Sequence, residues 1–236
     1  MPDLSERVIL ITGAAGTLGQ AAAAACRAAG AEVVLLDRDE SRAQQAAADI
    51  DANHCTGCGV DLTDPDAVEG VIGRIVGEFG RIDGLANVAG GFRMGPPLHE
   101  TSDADWDFML DLNLRTVFNT CRAVIPRMLA GAHGRIVNIA ARAADAPKAR
   151  MAPYNISKAG VITLTESLAA EHRDDGITVN CILPGTIDTP ANRADMPDAD
   201  HARWVAPADL ASVIAFLLSD AARAINGAAI PVYGRS

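Results

Sequence analysis

Seven short runs, most of them apolar without alternation, recur along this chain, with helical patterns in the gaps between them. They are VILITG (8–13), EVVLLD (32–37), CGVDL (58–62), IDGLANVAG (82–90), RIVNIAA (135–141), TVNCILPG (178–185) and AAIPVYG (228–234). A strand with one face in water alternates apolar and polar residues, whereas a run without alternation needs cover on both faces. The helical patterns fall at 19–29, stopped by Gly30, and at 39–50, 64–79, 102–130, 153–174 and 207–219. Thr63-Asp64-Pro65 and Ala206-Pro207 are start signals, because the N–H that proline lacks is not needed in a first helical turn. This β-α-β succession predicts an α/β fold with a doubly wound parallel sheet, about seven strands, helices on both faces and right-handed crossovers. No Pro/Gly/Ser-rich linker or repeat divides it, so residues 1–236 read as a single domain. The longest irregular piece, 186–206, follows the sixth strand at the carboxyl edge of the sheet, where it is expected to act as a substrate lid.

Composition excludes several classes. Hydrophobic residues make up 49% of the chain and aromatics only 4%, so the core is built from Ala, Val, Ile and Leu. Thirty acidic against twenty basic residues give a net charge of −10, which repels phosphate backbones and argues against a nucleic-acid partner. No window approaches the roughly 18 uninterrupted apolar residues of a membrane span, and MPDLSERVIL lacks the apolar run of a signal peptide. The expectation is a soluble, cytoplasmic protein that meets neither membrane nor nucleic acid. Cys55 and Cys58 form a CxxC behind His54, but a closed zinc site needs four ligands and no second CxxC or HxxxH follows. No metal is expected.

TGAAGTLG (12–19) follows the first strand and opens a helix, the context a dinucleotide fingerprint requires. Gly13, Gly16 and Gly19 permit a tight turn and a close approach of backbone N–H groups to a pyrophosphate. Asp37 closes the second strand, where a carboxylate can accept hydrogen bonds from adenosine ribose hydroxyls. The same carboxylate repels a 2′-phosphate, and the glycine loop contains no Lys or Arg. NAD(H) is therefore favoured over NADP(H), with Arg38 as a partial counterweight that can fold over the adenine. These features make the sheet one of Rossmann type.

Tyr154 and Lys158 stand one helical turn apart and share a face. A phenol beside an ammonium is a candidate proton donor, since the positive charge favours the phenolate. The competing reading is a core tyrosine next to a solvated lysine. From Ile139 through Pro153 there is no Ser or Thr to hold a substrate oxygen beside that tyrosine. Arg142, Lys148 and Arg150, against Asp145, make this loop basic, which suits a carboxylate or phosphorylated carrier or simply a solvated loop. Phe92 and Trp204 are candidates to stack on a flat substrate ring, or merely to pack.

TGxxxxxG, Asp37, NVAG (87–90), Asn113, Tyr154-xxx-Lys158 and PGTIDT (184–189), in that order, resemble the short-chain dehydrogenase/reductase family over essentially the whole chain. The resemblance implies Tyr154 as general acid/base. Lys158 would bind the nicotinamide ribose and lower the tyrosine pKa, and Asn113 would hold a proton-relay water. Asn113 can equally satisfy a backbone carbonyl. The resemblance adds Thr17 and Leu18 of the glycine loop, Asp61 and Leu62 at the adenine, and Asn87, Ala89 and Gly90 along the cofactor. Pro184, Gly185, Ile187 and Thr189 complete the set, and the family implies a homodimer or homotetramer. Two departures stand out. Thr17 occupies the usual middle-glycine position, with Gly16 one place earlier, and Ala141 stands where the family has its catalytic serine. Both recur in the dihydropteridine reductase branch, which reduces a quinonoid C=N system with NADH. VAGGF (88–92), ARAA (141–144) and DTPANRADMPDADHARW (188–204) are local likenesses to that branch, whereas Asn113 in DLNLRTVFN resembles ordinary carbonyl reductases. The expected function is hydride transfer between nicotinamide and a carbonyl or conjugated C=N carbon of a small molecule. The alternatives are a 3-oxoacyl-type reductase with a water in place of the serine, and an inactive NAD-binding sensor or scaffold.

Overall fold

A computed structural model describes residues 2–235. The strands are β1 (Val8–Thr12), β2 (Glu32–Asp37), β3 (Cys55–Gly59), β4 (Gly84–Asn87), β5 (Gly134–Ile139), β6 (Ile177–Pro184) and β7 (Ala229–Val232). All pair in parallel, in the order β3-β2-β1-β4-β5-β6-β7, so this is the Rossmann-type doubly wound sheet that the apolar runs predict. The helices are α1 (Thr17–Ala28), α2 (Glu40–Asp51), α3 (Pro65–Phe79), α4 (Asp103–Leu110), α5 (Thr116–Ala130), α6 (Arg142–Asp145), α7 (Ala152–Glu171), α8 (Pro190–Asp195) and α9 (Pro207–Leu218).

Side chains of one strand alternate between two cores. Val8 and Leu10 face α3, α5 and α7 on one side, and Ile9 and Ile11 face α1, α2 and α9 on the other. Both faces are covered, which is why the runs do not alternate in polarity.

Three expectations need adjusting. The third strand is Cys55–Gly59 rather than 58–62. Its residues CTGCG are barely apolar because α2 presses on them: a Cβ on Gly57 would lie 2.3 Å from the Gln44 nitrogen and 2.4 Å from the Ala43 carbonyl carbon. The 102–130 helix is continuous but changes pitch, with a π-helical turn at Asp111–Arg115 between α4 and α5. The 186–206 segment is not irregular. Ile187 and Val205 form a parallel bridge at its base, Thr189 caps α8 by accepting from the Asn192 N–H, and a 3-10 turn covers His201–Arg203.

The chain turns at β1. It winds outward to β2 and β3, then returns to lay β4 on the other side, and this reversal opens a cleft at the carboxyl ends of β1 and β4. Gly13 sits in that cleft with φ +62°, and a Cβ there would lie 2.7 Å from the Ala89 Cα. Only glycine allows the two loops to come this close.

Candidate active site

A cavity of about 640 Å³ occupies the cleft and joins the two halves of the sequence reading. Its walls include the glycine loop (Gly13, Gly16, Thr17, Leu18, Gly19), the Ala89-Gly90 turn, Tyr154 and Lys158, and Pro184, Gly185, Ile187 and Thr189. Ala141 also lines it.

The glycine loop fits an anionic cofactor. Gly16 caps α1 with no side-chain hydrogen bond, and no acidic residue lies in the first turn, so the N–H groups there remain open towards the cavity. Asp37 closes β2 beside the loop. Its Oδ2 accepts from the Ala15 N–H at 3.0 Å, which fixes the carboxylate against the turn that would carry the phosphates. Arg38 is exposed. Its charge helps to lower the Asp61 carboxyl pKa, although the hydrogen bonds from Thr63 lower it more. Leu62 is buried in the core, and its carbonyl accepts from Asn119 Nδ2 at 2.9 Å. Arg42, which the motif reading passed over, reaches back from α2 to the Ala15 carbonyl at 3.4 Å.

Asn87 does not line the cavity. It is buried in a polar chain: Thr120 donates to Asn87 Oδ1 at 2.7 Å, Asn87 Nδ2 donates to Asn138 Oδ1 at 2.9 Å, and Asn138 Nδ2 donates to Thr165 at 2.9 Å. Its side chain ties β4 to β5 and α5 beneath the cleft. Asn113 lies in the π-helical turn, fully buried. It clamps the loop after β4, with Oδ1 accepting from the Gly91 N–H at 3.0 Å and Nδ2 donating to the Gly91 carbonyl at 3.0 Å and the Met109 carbonyl at 3.1 Å. Gly90 is thereby held between Asn113 and Lys158: a Cβ on it would lie 2.8 Å from Asn113 Oδ1 and 3.2 Å from Lys158 Nζ.

Lys158 is buried, and its Nζ donates to the Ile139 carbonyl at 2.8 Å. Burial pulls its pKa down from 10.5 to about 8. Burial also pushes the Tyr154 phenol up to about 12. In this environment the phenol holds its proton at neutral pH, and the ammonium is the more easily neutralised of the two. Phe92 meets the Tyr154 ring edge-on, with centroids 5.1 Å apart, while Trp204 packs on His201 at 4.4 Å. Three methionines on the wall, Met94, Met151 and Met196, escaped the sequence reading because no periodicity marks them.

Ala141 is 7% exposed and precedes α6. The side-chain hydroxyls on the cavity wall are those of Thr17, Thr186, Thr189 and Tyr154, so the segment after β5 contributes none. Among the described residues no cluster of metal ligands forms, and Cys55 and Cys58 are free thiols. No helix of the described residues is long and apolar enough to cross a membrane.

Residues 7–200 match the family model for short chain dehydrogenase. The chain is 36% identical to the D-threitol dehydrogenase of Mycolicibacterium smegmatis, over 98% of this chain and 93% of that protein. It is 35% identical to the 3-oxoacyl-[acyl-carrier-protein] reductase FabG of Escherichia coli, over 98% of both chains. A crystal structure of NAD+-bound xylitol dehydrogenase superposes with a TM-score of 0.91, at 27% identity, over 98% of this chain and 99% of the other.

The depressed pKa of Lys158 has a measurable consequence. Between about pH 8 and 10.5 the unfolded chain keeps a proton that the folded chain has lost, so this residue's destabilising contribution shrinks as pH rises through that window. Lys158→Met is expected to stabilise the fold by about 1–3 kcal/mol at pH 7, with the gain fading towards pH 10.5. Urea denaturation across that range checks it, and a destabilised variant or a gain independent of pH contradicts it.

Proposed function

The chain belongs to the short chain dehydrogenase family and is an oxidoreductase, and from that premise we propose that it interconverts a small-molecule alcohol and ketone with NAD(H), using Tyr154 as the proton-transfer group. What carries this reading is that the Tyr154 phenol, the Lys158 ammonium and the glycine loop line one cavity. NAD(H) supplies the hydride chemistry when bound, and the protein positions and polarises. Burial keeps the Tyr154 phenol protonated, which suits an acid that protonates a developing alkoxide during reduction. For oxidation the phenol must give up that proton to become the base, and the Lys158 charge one turn away is the group that eases the loss.

On the cofactor side, the uncapped first turn of α1 takes the pyrophosphate and Asp37 takes the ribose hydroxyls, which favours NAD(H) over NADP(H). Asn113 positions the Gly90-Gly91 turn along the cofactor and, in the family role, holds the relay water. The relatives' names support the carbonyl reading: one is a D-threitol dehydrogenase and one a 3-oxoacyl-[acyl-carrier-protein] reductase. Ala141 supports a second reading, a conjugated C=N substrate. Charge developing on a ring nitrogen depends less on one hydroxyl donor than an alkoxide does. The exposed Phe118 and Ile156, on α5 and α7 at the face that also carries Leu114 and Leu164, favour a homo-oligomer joined through these helices. A monomer by light scattering contradicts this.

Tyr154→Phe is expected to lower turnover by about a hundredfold or more with NADH affinity unchanged, and an unaffected rate sinks the assigned mechanism. Ala141→Ser separates the two substrate readings. An increase of about tenfold or more on ketones marks a carbonyl site short of a donor, while an imine that remains faster than every ketone favours the C=N reading.

A further inference from the structure

The cavity contradicts the charge of the molecule that contains it. The chain carries thirty acidic and twenty basic residues, yet among the described residues the charged side chains lining the cavity are Arg142, Lys148 and Lys158, with no carboxylate. Lys158 is buried on the Ile139 carbonyl at the proton-transfer end. Arg142 lies with its guanidinium carbon 5.1 Å from the centre of the Tyr233 ring. Lys148, like Arg142, is exposed, and it forms no ion pair with any carboxylate among the described residues.

The loop that carries Lys148 is fixed in place. The Lys148 carbonyl accepts from Asn155 Nδ2 at 3.0 Å, and Asn155 is the residue next to Tyr154 on α7. Two positions later, the Arg150 carbonyl accepts from the Gly95 N–H at 2.9 Å, which joins this loop to the segment that holds Phe92 and Met94. Arg150 sits at φ +64°, an unfavourable backbone for a side chain this large, and that bond holds it there. The Lys148 backbone is thus referenced to the tyrosine helix, and its side chain lines the same cavity as an apolar wall of Phe92, Met94, Met151 and Met196.

We propose that Lys148 is a specificity-determining residue that binds a carboxylate on the substrate, so that the enzyme acts on hydroxy or oxo acids whose apolar body lies along the methionine and phenylalanine wall. This rests on the oxidoreductase reading above. A carboxylate gains a charge-assisted hydrogen bond from Lys148 that its neutral amide or ester does not. In a chain of net charge −10, a cavity lining free of carboxylates also favours small anions there.

Calorimetric titration of the protein, with and without NADH, with benzoate, benzamide and phenyl phosphate tests the inference. Benzoate is expected to bind about tenfold tighter than benzamide, Lys148→Met to abolish that difference, and Lys148→Arg to retain it. Equal binding of benzoate and benzamide, or a preference that survives Lys148→Met, overturns the proposal. Phenyl phosphate binding about tenfold tighter than benzoate overturns the carboxylate assignment in favour of a phosphorylated substrate. Failure of the oxidoreductase reading shows separately, as a protein that turns over no ketone or oxo acid with NADH.

Discussion

The bond from the Lys158 ammonium to the Ile139 carbonyl, 2.8 Å long and buried, joins α7 to the carboxyl end of β5, and the geometry of the site follows from it. An ammonium has three N–H donors, so with one on Ile139 the other two remain for the site. Space for them depends on Gly90, where any side chain would crowd both Lys158 and Asn113. Gly90 in turn stays in place because Asn113 grips both backbone groups of Gly91 from the π-helical turn. A wider turn in one helix, an amide, a glycine and an ammonium therefore form one continuous support. Desolvation is the cost of that arrangement, visible in the depressed pKa of Lys158 and the raised pKa of Tyr154.

The sheet divides this work between its two ends. At the amino end, Asp83 accepts from the Val8 N–H and from Arg7, and Asp220 pairs with both Arg7 and Arg135, which ties β1, β4 and β5 to the turn after α9. No group of that network lines the cavity. At the carboxyl end the loops carry the glycines and Lys148, and α7 carries the phenol and Lys158. Between the two ends, the Thr120–Asn87–Asn138–Thr165 chain fixes the strands beneath the cleft. Rigid support below and open loops above is the usual division of labour in parallel sheets with ligands at their carboxyl edge.

The seven strands and the main helices were legible because burial on both faces writes itself into unbroken apolar runs. The limits of that rule are physical. β3 begins three residues before its expected start because close contact with α2 requires glycine, and glycine carries no hydrophobic signal. The π-helical turn leaves no mark in a pattern read at helical spacing, although Asn113 inside it was identifiable by resemblance. In the site, the glycine loop, Tyr154, Lys158 and the 184–189 segment came together as their order suggested. Asn87 and Leu62 went to the core instead of the cavity wall, since a motif specifies order along the chain and not the direction of a side chain. Arg42 and the three methionines were invisible because their positions depend on tertiary contacts alone. Ala141 lines the cavity wall, as its place just after β5 suggested, and brings no hydroxyl to it.

In the proposed reaction this cavity brings a nicotinamide and a small-molecule electrophile together for direct transfer between carbons. The measurement that tests it is label transfer: NADH deuterated at C4 of the nicotinamide, incubated with the protein and a panel of ketones, oxo acids and a quinonoid dihydropterin, with the products read by mass spectrometry. The expected result is one deuterium bound to the reduced carbon of a product, derived from a single face of the nicotinamide. A reduced product without deuterium, or tight NADH binding with no product from any member of the panel, would contradict it.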